Sequence, residues 1–195
     1  MGIKSSNEIT VKVTTTKENL INILVSKGYN KTRTFTLDDY YFIPKNLNTD
    51  NLSTREILKY AILLRNVTEN NISKKILTFK NKEFDTNGNI TNQSAINCNI
   101  IDMNEGSNFL KAIGYKEIMN IKEYNTVYSN NNFELAIKEI LNGDILIELE
   151  TEENTEYDTI DKLKLLISNL ELPILPNKFF IKKAEIELNK ILNRK

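Results

Sequence analysis

The chain has 195 residues, with 26 basic and 26 acidic side chains and a formal net charge of zero. This length fits a single ordinary domain, residues 1–195. The balanced charge offers no basic face for general attraction to nucleic acid or to a membrane, so we expect no nucleic-acid partner. There is no histidine, which excludes a Ser-His-Asp triad, a Cys-His pair and a histidine zinc site. Any chemistry must use carboxylates, lysines, arginines, hydroxyls or a hard cation with oxygen ligands.

The single cysteine, Cys98, excludes an internal disulfide and is typical of a reducing, cytoplasmic location. Ile96 and Ile100 flank it at strand spacing, which predicts a structural thiol. No apolar run approaches the roughly 18 residues that a membrane span needs. The first residues match the myristoylation pattern at Gly2, but the pattern is short and leaves open whether Gly2 is lipidated.

The first strand is predicted over residues 8–14, where apolar and polar residues alternate. A helix follows, which Thr16 caps and Gly28 ends. The segment 32–44 is rich in β-branched and aromatic residues, which predicts a second strand closed by Pro44.

The same order of strand, helix and strand recurs in residues 99–128. Gly28-Tyr29 corresponds to Gly114-Tyr115 at a constant offset, and Leu24 corresponds to Leu110 at that same offset. The sequence therefore predicts two pseudo-symmetric halves related by a twofold axis.

Each half continues with a predicted hairpin, residues 59–82 in the first and residues 132–152 in the second. The sum is about eight strands, the number at which an antiparallel sheet can close around one small ligand. The fold class is therefore α+β, an antiparallel eight-stranded closed or nearly closed β-barrel over residues 7–153. Two amphipathic helices in residues 154–195 are expected to cover it. Residues 83–94 are predicted to be a polar hairpin loop with a turn at Asn87-Gly88.

Charged residues recur on the polar faces of these strands. Glu8 and Lys12 share one face of the first strand, and the alternating Glu148 and Glu150 share a face of the last. Such carboxylates can hold one divalent cation between them. Arg65 and Lys80, each at the end of an apolar run, could neutralise phosphate oxygens. The alternative, that Glu8 and Lys12 lie on a solvated face, stays open on the strand alone.

The order of these segments resembles the CYTH family of triphosphate-tunnel proteins, which includes class IV adenylate cyclases and thiamine triphosphatases. The resemblance spans residues 7–153 and rests on the order of the segments, because no single motif in it is specific. It implies a protein that uses Mg²⁺ or Mn²⁺ and has a triphosphate-containing small molecule or nucleotide as its partner. The implied metal ligands are Glu8, Glu148 and Glu150, and the implied phosphate-binding residues are Lys12, Arg65, Lys80 and Lys122.

The sequence departs from the family pattern at several of its charged positions. Lys138 stands where the family has an aspartate, and Asn81-Lys82 stands where it has Gly-Pro. At six further positions this sequence has a different residue where the family has an acidic or basic one: Thr10, Leu63, Asn97, Asn99, Glu123 and Asn125. Each charged contact that is lost costs about 1.5 to 3 kcal/mol of binding free energy. These replacements therefore affect the expected site more than the expected fold.

Three functions stay open at this point. The first is a metal-dependent triphosphate hydrolase or cyclase, and the second is a non-catalytic protein that binds an anionic small molecule on the same fold. The third is an interaction protein that uses its C-terminal helices, for which the exposure of Phe179 and Phe180 is the discriminating observation. Whether two copies form a homodimer is not indicated by the sequence.

Overall fold

The computed structural model describes residues 8–84, 90–151 and 155–193. In chain order its elements are β1 (Glu8–Lys12), α1 (Lys17–Ser26), β2 (Asn30–Pro44), α2 (Thr54–Lys59), β3 (Ile62–Glu69), β4 (Ile72–Phe84), β5 (Ile90–Ile100), α3 (Met103–Ala112), β6 (Tyr115–Ser129), β7 (Glu134–Ile140), β8 (Ile145–Glu150), α4 (Ile160–Asn169) and α5 (Lys183–Ile191).

The eight strands form one antiparallel sheet in the order β1-β8-β7-β6-β2-β3-β4-β5. The predicted α+β class and the predicted eight antiparallel strands are confirmed. The sheet is not closed, since β1 and β5 stand at the two ends of this order. In the predicted repeat, β1 to β4 of the first half correspond in turn to β5 to β8 of the second. When each strand in the sheet order is replaced by its equivalent, the result is the same order read from the opposite end. The sheet therefore has the symmetry that the predicted repeat requires.

The chain divides into two compact units. Of the described residues, one unit contains Thr36–Lys122 together with residues 182–193, and the other contains Glu123–Ile181 together with residues 8–35. We call the first the β3–β5 unit, after three consecutive strands in it, and the second the β1–β8 unit, after the pair formed by β1 and β8. Each unit combines the first strand and helix of one half with the hairpin of the other half, so the units do not coincide with the sequence repeats.

The apolar faces of the strands lie under helices in both units. In the β1–β8 unit, Ile9 and Val11 of β1 are buried with Leu20 of α1 and Leu163 of α4. In the β3–β5 unit, Leu110 of α3 is buried with Phe42 of β2 and Leu64 of β3. Burial of these side chains removes apolar surface from water. Because side chains alternate along a strand, the polar residues of each unit lie on the opposite face of its strands.

The two sequence repeats begin and end their helices in the same way. The side chain of Thr16 accepts a hydrogen bond from the Asn19 amide at the start of α1, and Asp102 caps α3 by accepting from two amides. Gly28 and Gly114 follow the helices with φ of +84° and +92°, the left-handed region that other residues adopt only with strain. The predicted correspondence of the two glycines is confirmed.

The segment after α4 lies along the edge of β1. Thr10 donates its N–H to the carbonyl of Phe179 and accepts from Ile181, both at 2.9 Å, while Lys12 accepts from Leu175 at 2.8 Å. Phe179 and Phe180 therefore lie in extended chain rather than in the predicted last helix, which begins only at Lys183. Both rings are partly buried against the core of the β1–β8 unit, so they do not form the exposed stripe that a partner helix would need.

Two further expectations change. The strands β4 and β5 extend to Phe84 and from Ile90, so most of the predicted loop over residues 83–94 is strand; the predicted turn at Asn87-Gly88, like Gly2, lies outside the described residues. Cys98 is exposed, so its prediction as a structural thiol is wrong, because the strand face it shares with Ile96 is left open there.

None of the helices in the described part of the chain combines the length and the apolar character of a membrane span.

Candidate functional site

Three carboxylates meet on the polar face of the β1–β8 unit. In the pairing of β1 with β8, Glu8 lies opposite Glu150 and Thr10 lies opposite Glu148. One carboxylate oxygen from each of the three glutamates lies within 4.8 Å of the others. We call Glu8, Glu148 and Glu150 the carboxylate cluster. The register thus brings together the three residues that the sequence predicts as metal ligands.

Two lysines share this face. The Nζ of Lys12 lies 2.7 Å from a carboxylate oxygen of Asp144, in a pair whose side chains are 39% and 24% exposed. The Nζ of Lys138 contacts Oε2 of Glu148, and this pair is less exposed, at 13% and 17%. The carboxylate cluster therefore has an ammonium in direct contact with one of its members.

The neighbouring strand β6 adds a buried polar pair to the same unit. Glu123 and Asn125 are both buried, and the Asn125 side-chain amide donates to Oε1 of Glu123 at 3.3 Å. In the β6–β7 register, Asn125 lies opposite Lys138. This sequence differs from the family pattern at Glu123, Asn125 and Lys138. The structure places these three residues next to one another.

The β3–β5 unit contains a second charged cluster, formed by Asp39, Arg65 and Lys183. Arg65 donates to both carboxylate oxygens of the fully buried Asp39, at 2.6 and 2.7 Å, and Lys183 of α5 donates to Oδ2 at 2.8 Å. Burial by itself would raise the pKa of the Asp39 carboxyl, but Lys183 and Arg65 together hold that pKa well below its ordinary value. Two N–H groups of the Arg65 guanidinium, which was predicted to bind phosphate, therefore donate to Asp39.

Lys80, the other basic residue predicted on this half of the sheet, is half-buried on β4. Alternation along β4 places it on the same strand face as Thr78, whose hydroxyl donates to Asn97 at 2.8 Å. Leu63 lies opposite Thr78, and Arg65 lies opposite Ile76, which pairs with Asn99. Leu63, Asn97 and Asn99 thus occupy the same polar face as Arg65, where the resemblance expects charged residues.

Lys122 lies apart from the other predicted phosphate-binding residues. Its Nζ is 3.8 Å from Asp38, and Asp38 points to the opposite strand face from Asp39 because successive strand residues alternate. Asn120, on the same face of β6, also donates to Asp38, at 2.6 Å. Lys122 stays a predicted phosphate contact from the resemblance, and the site proposed below does not use it.

Two features of these clusters were missed from the sequence. Asp39 lies mid-strand with two cationic partners, and neither it nor Lys183 is among the site residues expected from the sequence. An acidic residue inside a run of buried aromatic side chains was the available signal, since a buried carboxylate needs a cationic partner. The pairing of Lys138 with Glu148 had no sequence signal beyond the departure from the family pattern.

The carboxylate cluster fits a hard divalent cation by its donor set. Mg²⁺ and Mn²⁺ prefer carboxylate oxygens, and two oxygens bound to one Mg²⁺ at about 2.1 Å lie at most about 4.2 Å apart. The ligand oxygens of the cluster lie within 4.8 Å of one another, so their separations exceed this limit by at most about 0.6 Å. The contact of Lys138 with Glu148 is the feature that opposes the fit.

No protein-family model and no curated protein matches the chain by sequence. Solved structures do match it over nearly its whole length. The PH1819 protein of Pyrococcus horikoshii OT3 superimposes with a TM-score of 0.71 at 18% identity, over 95% of this chain and 99% of that one. A "putative adenylate cyclase" of Vibrio parahaemolyticus gives 0.62 at 14% identity, over 97% of this chain and 98% of that one.

A third match concerns a protein with a described activity. The "putative adenylyl cyclase HpAC1" of Hippeastrum, for which a dominant triphosphatase activity is described, gives a TM-score of 0.58 at 13% identity, over 98% of this chain and 97% of that one. Identities this low show the fold alone. The chain has the fold of these cyclase-like and triphosphatase-like structures, and the resemblance to the CYTH fold is confirmed at that level.

Proposed function

We propose that the chain binds a triphosphate or another phosphorylated small molecule on the polar face of the β1–β8 unit, together with Mg²⁺ or Mn²⁺. The observation that carries the proposal is the carboxylate cluster, whose ligand atoms lie within 4.8 Å of one another. Carboxylates alone repel phosphate. A bound divalent cation would supply positive charge that neutralises phosphate oxygens.

The residues of this chain then have defined tasks. Glu8, Glu148 and Glu150 hold the cation. Lys12, whose side chain is 39% exposed beside Asp144, turns its ammonium from Asp144 to a phosphate oxygen at little cost, because exposed ion pairs are weak. Arg65 and Lys80 belong to the β3–β5 unit, and their assignment as phosphate-binding residues rests on the resemblance alone.

A second candidate is a binding protein of the same fold that has no catalytic activity. It is favoured by the engagement of Arg65 with Asp39, by buried Leu63 in place of a basic residue, and by Lys138 in contact with Glu148. Each of these reduces the positive charge or the metal capacity that phosphoryl transfer requires, because charge on the transferring phosphate must be stabilised from several sides.

One set of assays separates the two candidates. Phosphate release and cyclic nucleotide formation are measured with tripolyphosphate, thiamine triphosphate and ATP in Mg²⁺ or Mn²⁺, beside thermal shift with the same ligands. Turnover that disappears in Glu148→Ala identifies an enzyme, and a stabilising shift without turnover identifies a binding protein. The absence of both signals for all three ligands contradicts the proposal.

A further inference from the structure

The contact between Lys138 and the carboxylate cluster has a defined geometry. Lys138 lies opposite Leu146 on β8, and Glu148 lies opposite Ala136 on β7, so the two side chains are diagonal neighbours on one face. Their charged ends are in contact, and both side chains are largely removed from water. This pair is therefore less screened than the Lys12–Asp144 pair on the same face.

A metal ion and this ammonium compete for the same ligand. Glu148 contributes one of the three oxygens of the carboxylate cluster, and its Oε2 is the atom that Lys138 contacts. A divalent cation bound between Glu8, Glu148 and Glu150 would lie close to a positive charge, which repels it strongly in a weakly screened site. Full engagement of Glu148 with a metal therefore requires the ammonium to move.

The neighbouring strand offers a place for the displaced ammonium. Asn125 is fully buried opposite Lys138, and its Oδ1 accepts no hydrogen bond from any described group. Cross-strand neighbours have Cβ atoms about 5 Å apart, within reach of a lysine side chain. A buried acceptor left without a donor is costly, so transfer of the ammonium from Glu148 to Asn125 would satisfy it.

We propose that Lys138 is the resident counter-ion of the carboxylate cluster and sets its affinity for divalent metal. The inference rests on the proposed function and deepens it. With Lys138 on Glu148 the cluster binds Mg²⁺ or Mn²⁺ weakly, and removal of the ammonium opens the cluster to tight metal binding. Lys138 is thus a positioning residue that controls metal occupancy.

The test is Mn²⁺ binding, measured from the electron paramagnetic resonance signal of free Mn²⁺ during titration of the full chain. Lys138→Met removes the ammonium and keeps most of the aliphatic chain, and Lys138→Gln is the second variant in case the first does not fold by circular dichroism. Lys17→Met is the matched control, since Lys17 pairs with Glu139 in the same unit, at 2.6 Å, and Lys17 and Glu139 are not part of the cluster.

We expect Lys138→Met to bind Mn²⁺ at least about tenfold more tightly than the unaltered chain, and Lys17→Met to bind it as the unaltered chain does. Equal or weaker binding by the folded Lys138 variants, or binding by none of the proteins, overturns the inference. Binding of tripolyphosphate, thiamine triphosphate and ATP by the unaltered chain is measured separately. Absence of binding for all three beside a gain in Mn²⁺ affinity refutes the proposed function alone, and binding of any of them without that gain refutes this inference alone.

Discussion

Asp39 is a fully buried carboxylate whose charge is balanced by Arg65 and Lys183. Two of the three residues come from strands that pair directly, and the third comes from the last helix of the same unit. The cluster therefore ties α5 to the sheet. Removing one member of a buried ion pair leaves the others without compensation, which makes this cluster sensitive to single substitutions.

We expect Asp39→Asn to lower the free energy of unfolding by about 3 to 5 kcal/mol, the usual cost of breaking a buried pair. Urea unfolding at neutral pH measures the loss. The matched control is Asp158→Asn, since Asp158 pairs with Lys162 one helical turn away on an exposed surface and should change stability little. Equal effects of the two substitutions would contradict the stabilising role of the Asp39 cluster.

The same cluster predicts a pH dependence. Because the pKa of Asp39 in the folded chain is lower than its ordinary value near 3.9, the unfolded chain takes up this proton first as the pH falls. The stabilisation is present above about pH 4 and is lost progressively as the pH falls toward the folded-state pKa. The difference in unfolding free energy between the original chain and Asp39→Asn should therefore shrink below pH 4, and a constant difference would contradict this origin.

At the scale of elements, each sequence repeat ends its helix at a glycine with positive φ, and no atom lies within 4 Å of the Cβ that alanine would add. The cost of substitution there is conformational rather than steric. We expect Gly28→Ala and Gly114→Ala each to destabilise the fold by about 1 to 2 kcal/mol. Thermal unfolding of the two variants measures the loss, and an unchanged midpoint in both would contradict it.

The extended segment after α4 stabilises the edge of β1 through its backbone. Ile181→Pro removes the N–H that donates to Thr10, and we expect a loss of about 1 to 3 kcal/mol beyond that of Ile181→Ala, which keeps the N–H. Hydrogen exchange at the Thr10 amide, which donates to Phe179, should accelerate in the proline variant. Equal stability of the two variants would show that the segment contributes only its side chains.

For the whole molecule, the alternation of residues 8–14, the repeated Gly-Tyr after a helix and the hairpin patterns were enough to predict eight antiparallel strands and their repeat. The short helix α2 was missed, although Ser53 and Glu56 form a capping box that the sequence displays. The extended path of Phe179 and Phe180 was not predictable, because their apolar spacing suits a helix as well as it suits chain packed against an edge strand.

Alternation indicated that Glu148 and Glu150 share one face of β8, and the grouping of Glu8 with them was expected from the family resemblance. The ion pairs that Glu148 and Arg65 form were not predictable. Which ammonium reaches Glu148, and which carboxylate engages Arg65, depend on diagonal and cross-strand distances that a single sequence does not contain. The fold was therefore more accessible to sequence reasoning than the charge pairing of the site.

Isothermal titration calorimetry of tripolyphosphate into the full chain with Mn²⁺ present tests the proposed phosphate site. We expect binding that weakens about tenfold or more in Lys12→Met, because one charge-assisted contact of about 1.5 to 3 kcal/mol is lost. Lys31→Met, at an exposed position on β2, should bind as the original chain does. No binding by the original chain, or equal affinity in Lys12→Met, would contradict a phosphate site on this face.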